Sequence, residues 1–225
     1  MVVVQTESGS KPVLRPLSII GIILLAALGG ASLALLKPQT MTIAQMRDKG
    51  LYVLESPRNI DNFELTDQSG SLFTNAQLEG TWSLLFFGYT FCPDICPITL
   101  ATIRQFDQLL QERDAASAEN LQVVMVSVDP QRDTPEKLAQ YVAFFADDYI
   151  GATGEFAALF NLARQLNVSF SFQARESGDY LVSHSGEVIV VNPEGQYHGF
   201  FRASPDPALM LETWLVATDA WQDDN

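Results

Sequence analysis

Cysteine and histidine are scarce in this 225-residue chain, with two of each. Only three residues separate Cys92 from Cys96. A structural disulfide gains most from closing a long loop, so this pair reads first as redox or metal chemistry. Positive charge is scarce as well: 13 Lys and Arg stand against 27 Asp and Glu, a net charge of −14. From Pro38 onward 26 acidic residues face 10 basic ones, a net of −16. Such a surface repels nucleic-acid phosphates and suits cations or basic protein patches. No internal repeat or low-complexity tract is present, and no cysteine lies in or beside the one long apolar run. That excludes a lipid-modified cysteine there.

What the chain has in quantity is apolar surface, 47% of its residues, enough for a sizeable core. Leu17–Leu36 is an uncharged run of 20 residues. At about 1.5 Å per residue it spans roughly 30 Å, the thickness of a bilayer core. Gly29, Ala31 and Ala34 could host a signal cleavage site, but the run exceeds the usual ~7–15-residue signal core. It is therefore expected to be a membrane anchor. The flanking cations, Lys11 and Arg15 against Lys37, give only a weak asymmetry. A short tail and a long acidic domain favour the tail in the cytoplasm and the domain in the periplasm, an oxidising compartment. The absence of an Arg- and Ser-rich transit peptide favours a bacterial inner membrane. The expected organisation is a cytoplasmic tail over 1–16, a transmembrane anchor over 17–36, a linker over 37–60 and one domain over 61–225.

Within the linker a short helix is expected around Thr42–Lys49. Phe63–Thr66 alternates like a strand, Ser69-Gly70 turns, and a second short strand follows near Leu72-Phe73. WSLLFF (Trp82–Phe87) and LQVVMVSV (Leu121–Val128) are continuous apolar runs, as expected of strands buried on both faces. Leu100, Ile103, Phe106 and Leu110 have helical spacing over Thr99–Glu112. Asp133 or Thr134 can cap a helix that Pro135 opens. Further elements are a helix over Glu155–Leu166, a strand over Val188–Val191, a turn at Asn192–Gly195, a strand near Tyr197–Phe201 and a helix over Pro207–Ala217. This order predicts an α/β fold with a mixed central sheet flanked by helices, the thioredoxin-like arrangement. In that arrangement a cysteine motif follows a buried strand and opens a helix.

The stretch Gly88-Tyr89-Thr90-Phe91-Cys92-Pro93-Asp94-Ile95-Cys96-Pro97 sits at such a place. A thiolate near a helix N-terminus is stabilised by unpaired N–H groups and the helix dipole. If the helix begins within the motif, positions i and i+4 share a face, so both sulfurs can point the same way. Soft thiolates favour Cu(I) and zinc. A closed zinc site usually takes four ligands, which two cysteines and two histidines could supply. On chemistry alone, copper, zinc and dithiol exchange all stand open.

GYTFCPDICPITL resembles the copper-binding motif of the SCO/SenC family of cytochrome oxidase assembly proteins. Ser127–Glu136, SVDPQRDTPE, resembles that family's second signature, and Tyr180–Ser185, YLVSHS, its third. The likeness runs from about Asn62 to Leu215. It implies a thioredoxin-like fold with Cys92, Cys96 and His184 as ligands for Cu(I) or Cu(II). It implies a membrane-anchored metallochaperone for the binuclear copper site of cytochrome c oxidase. The implied partners are the copper-site subunit and other copper chaperones. Some members act instead as thiol–disulfide reductases on that subunit, in which case Cys92 and Cys96 are the redox pair. The family usually has Asp directly before the ligand histidine; Ser183 here implies altered affinity or redox poise rather than loss of binding.

Of the two histidines, His184 in its turn-like Ser-His-Ser setting is expected opposite the cysteine loop. His198 is expected on the hairpin strand beyond the Asn192–Gly195 turn. Asp129, at the end of a buried strand, is expected to reach the site. A helix cap suffices for Asp133, and Asp94 reads as a loop carboxylate that could tune the site. Tyr89, Phe91 and Phe172 read as packing residues. Peroxide reduction is disfavoured because no arginine lies near the cysteines in sequence.

Overall fold

A computed structural model describes residues 41–175 and 180–224. The expected tail and the Leu17–Leu36 run lie outside the described residues. Among the described residues no helix is long and apolar enough to cross a membrane.

Thr42 starts the first helix, α1 (Ile43–Asp48), through a capping box: its hydroxyl accepts from Gln45 N while Gln45 Oε1 accepts from Thr42 N. The chain then runs through β1 (Leu51–Asn59), β2 (Glu64–Asp67), β3 (Leu72–Thr74), a 3-10 turn (Asn75–Leu78) and β4 (Trp82–Gly88). Next come α2 (Ile95–Arg113), α3 (Ala115–Glu119), β5 (Leu121–Ser127), α4 (Pro135–Ala143), β6 (Ile150–Thr153) and α5 (Phe156–Gln165). The last elements are β7 (Phe170–Ala174), β8 (Tyr180–His184), β9 (Val188–Val191), β10 (Gln196–Phe201) and α6 (Pro207–Asp224).

Eight strands form one sheet in the order β1-β10-β9-β4-β5-β6-β2-β3, while β7 and β8 pair only with each other. The sheet is mixed, as expected. β4 is parallel to β5 and antiparallel to β9, and β5 is parallel to β6. Every residue of β4 is buried, which explains why its sequence shows no polar alternation. Each Leu or Phe it buries contributes about 1.5–3 kcal/mol. The Asn192–Gly195 turn forms as expected: Gly195 N donates to Asn192 O, and Gly195 has a φ of 72°, a region that favours glycine. Behind the sheet, α2 packs against α6. There Trp82 meets Trp214, Trp221 and His198 edge-on, with ring centroids 5.1–5.4 Å apart.

The structure corrects the expected linker over 37–60. Leu51–Asn59 is a strand of nine residues paired to β10, with Leu51 opposite Phe201 and Asn59 opposite Gln196. Its outer half is exposed and contains Pro57 and Arg58, so it lacks a periodic apolar signal. That composition suits an edge strand, which needs a partner on one side only. Lys49 then ties the start of this segment to α6 through an ion pair with Glu212, 2.7 Å. The compact unit therefore begins at Met41, not at residue 61. Three further strands, β6, β7 and β8, add to those the sequence predicts.

Candidate metal centre

β4 ends at Gly88, and the chain turns through the loop Tyr89–Asp94 into α2. Cys96 lies in the first turn of that helix and Cys92 in the loop before it. The Cys96 backbone N–H points at Cys92 Sγ, 3.5 Å away, so a helix N-terminal amide faces the sulfur as the sequence predicts. Gly88 is required here. A Cβ on it would lie 2.9 Å from Cys96 Sγ and 2.9 Å from a Phe86 ring carbon, too close for either to stay in place.

Cys96 is buried, Cys92 half-buried, and both are free thiols. Their environments push them apart. The Cys92 thiol is lowered to about 4, chiefly because the Cys96 thiol donates to it. The amides of Asp94 and Cys96 add to this, and burial opposes it. Cys96 is pushed upward by that same neighbour and by burial. One sulfur is thus a ready thiolate and the other holds the shared proton.

His184 completes the group, with Nε2 3.1 Å from Cys96 Sγ. The three ligand atoms all lie within 4.8 Å of one another. Nδ1 of His184 is 2.9 Å from the Ser185 carbonyl oxygen. A carbonyl only accepts, so Nδ1 carries the hydrogen, and in the neutral ring Nε2 keeps its lone pair on the side of the sulfurs, where it can bind a metal. The rings of Phe86 and Tyr89 stand edge-on to the imidazole at 5.8 and 6.0 Å and restrict its rotation.

His184 does not lie in a turn, as its Ser-His-Ser setting had implied. It ends strand β8, opposite Phe170 of β7. Successive strand residues point to opposite faces. Val182 is buried, Ser183 exposed and His184 partly buried. Ser183 therefore points away from the sulfurs, and an aspartate there would act on them only through its field. His198 lies elsewhere, buried against Trp82, and does not join the group.

Neither aspartate takes the role expected of it. Thr134, not Asp133, caps α4: its hydroxyl accepts from Lys137 N. Asp133 is buried and holds the cysteine loop, accepting from Thr90 N at 2.9 Å, from the Thr90 hydroxyl at 2.5 Å and from the Ser127 hydroxyl at 2.6 Å. Asp129 does not reach the sulfurs. It is buried and accepts from Arg132 Nε at 2.5 Å and from the Tyr180 hydroxyl at 2.6 Å. Asp94 makes no side-chain cap on α2. Tyr89 packs in the core as expected, whereas Phe91 and Phe172 are exposed. Arg132, remote in sequence from the cysteines, has its guanidinium 5.7 Å from the Tyr89 ring centroid and 5.1 Å from that of Phe91. The SVDPQRDTPE stretch is where sequence reasoning could have found these supporting residues.

Two sulfurs and one imidazole suit a soft ion that accepts three ligands, as Cu(I) does. Among the described residues no other group of three His, Cys, Asp or Glu is arranged to hold a metal. A structural zinc site lacks its fourth ligand, since His198 is committed to the core.

A protein of Stutzerimonas stutzeri is 39% identical over 160 residues, which is 71% of this chain and 77% of that protein. The crystal structure of Arabidopsis thaliana ScoI with copper bound is similar at 30% identity and a TM-score of 0.67, covering 72% of this chain and 99% of that one. Yeast Sco1 with copper bound is similar at 30% identity and a TM-score of 0.65, covering 73% and 90%. A family model described as SCO1/SenC matches residues 54–215. The chain belongs to the SCO1/SenC family.

Proposed function

We propose that this protein is a membrane-anchored copper metallochaperone that takes part in building the binuclear copper site of cytochrome c oxidase. Copper is its cargo, held by Cys92, Cys96 and His184. The observation that carries this reading is the convergence of two cysteine sulfurs and an oriented imidazole nitrogen within 4.8 Å. Membership of the SCO1/SenC family and the copper held by two structural relatives support it. The Leu17–Leu36 run would anchor the domain on the periplasmic face of a bacterial inner membrane. The partner would be the copper-site subunit of the oxidase. An apolar cavity of about 510 Å³, lined in part by Phe91 and Pro97 of the motif and by Phe144, opens beside the cysteine loop. Exposed aromatic surface of this kind suits contact with another protein.

A thiol–disulfide reductase is the second reading, favoured by one observation. A thiolate lowered to about 4, beside a buried protonated thiol, has the asymmetry of an attacking and a resolving sulfur. In that role His184 is dispensable.

Anaerobic Cu(I) titration of the reduced full chain, with and without His184→Ala, separates the two. We expect one tightly held copper per chain and a loss of affinity of tenfold or more in the variant. Equal binding by both proteins, or no tight copper in the wild type, defeats the three-ligand site. A transfer assay to the oxidase copper-site subunit then tests delivery.

A further inference from the structure

Two of the three ligands belong to the loop and helix that follow the central strand, but His184 belongs to a hairpin outside the main sheet. Pairing within the hairpin sets His184 against Phe170. It does not set His184 against the sulfurs. Other contacts must hold that distance, and several converge on one side chain. We propose that Arg132 is a positioning residue of the metal centre: anchored on Asp129, it ties the histidine hairpin to the cysteine loop. This inference rests on the three-ligand reading above.

On the hairpin side, Arg132 Nη1 donates to the Tyr180 carbonyl at 3.1 Å, and the guanidinium lies 3.8 Å from the Tyr180 ring centroid. Tyr180 opens the strand that ends at His184. Its hydroxyl donates to Asp129 Oδ1 at 2.6 Å, while Arg132 Nε donates to Asp129 Oδ2. Asp129 thus bridges the tyrosine and the arginine. On the loop side, the same guanidinium faces Phe91 and Tyr89, the residues just before Cys92.

A partly buried Arg–Asp pair is a poor source of stability, because its desolvation offsets most of its attraction. Its planar donor fork is a good source of geometry, since it holds two acceptors and three ring faces at once. Without it, the position of the imidazole would rest on the Tyr180–Asp129 hydrogen bond and on the packing of Phe86 and Tyr89 against the ring.

Electrostatics alone predicts the opposite sign. Arg132 is a cation near a site that takes a cation, so deleting its charge would tighten copper binding. Positioning predicts weakening. The test is anaerobic Cu(I) competition against a chromophoric chelator, using the reduced full chain and the variants Arg132→Met, Arg132→Lys, Tyr180→Phe and His184→Ala. We expect Arg132→Met to weaken binding about tenfold or more and Tyr180→Phe to weaken it less. Arg132→Lys should recover part of the loss. In the His184→Ala background, Arg132→Met should have no further effect, because it acts through the imidazole. Tyr180→Phe, which removes one oxygen only, keeps the test valid if Arg132→Met does not fold. Unchanged or tighter binding in the Arg132 and Tyr180 variants, or an equal loss with and without His184, overturns the inference and leaves the three-ligand site standing. Wild-type affinity in His184→Ala overturns both.

Discussion

At the residue scale, the two thiols differ because one protein environment treats them unequally. Cys92 receives the Cys96 thiol hydrogen and helix-terminal amides, so it ionises near 4; Cys96 is buried beside it and keeps its proton. Because the folded value is depressed, Cys92 remains a thiolate as pH falls from 8 toward about 4. Alkylation of the reduced, metal-free full chain by iodoacetamide, followed by mass spectrometry, should show a rate at Cys92 that is nearly flat between pH 8 and 5. An ordinary thiol slows about tenfold per pH unit over that range. A tenfold decline per unit at Cys92 would show that these groups do not stabilise its thiolate. The pair was legible in the sequence because its spacing and its place after an apolar run have a local chemical meaning. The partners of Asp129 and Asp133 were not. The carboxylates lie four residues apart, yet one holds the histidine hairpin and the other the cysteine loop. No local pattern says which.

At the scale of elements, legibility followed burial. The wholly apolar β9 and the wholly buried β4 announce themselves, and β5 nearly so, because both faces of each are covered. β1 does not, because its outer half is exposed and carries no alternating apolar residues. β6 is four residues long with a glycine inside it, and its place comes from registry with β5, where Ile150 pairs with Val124. β7 is largely exposed, and it and β8 pair only through their own ladder. These are elements that tertiary context decides. Leu51 gives a direct test of the corrected boundary. It is 2% exposed at the start of β1. Leu51→Ala should cost about 2–5 kcal/mol in urea unfolding, as for other buried leucines. A linker position would change stability by less than about 0.5 kcal/mol.

For the whole molecule, the second histidine matters more to stability than to chemistry. Burial against Trp82 lowers His198 to about 4 from an ordinary value near 6.5. The unfolded chain binds that proton first. The stabilisation is therefore complete above about pH 6.5 and lost as pH falls toward 4. The shift corresponds to about 3 kcal/mol. Urea midpoints at pH 7 and pH 4.5 should differ less in His198→Gln than in the wild type, since carboxylate effects are common to both. Equal pH dependence would mean that His198 is protonated within the fold. The acidic surface, −16 beyond Pro38, adds a general self-repulsion that grows as salt is removed.

The imidazole's place on a detached hairpin has a consequence for exchange rates. Two donors belong to the scaffold and the third to a separate arm, so the third can withdraw without breaking a hydrogen bond of the main sheet. An incoming donor from another protein can take the vacated coordination position while both sulfurs keep hold. On the delivery reading, an ion would then be passed on by stepwise substitution and would never cross the gap bare. On that reading, the arm would have to open first, so the Arg132 and Tyr180 hydrogen bonds that hold it down would slow exchange as well as order the closed site.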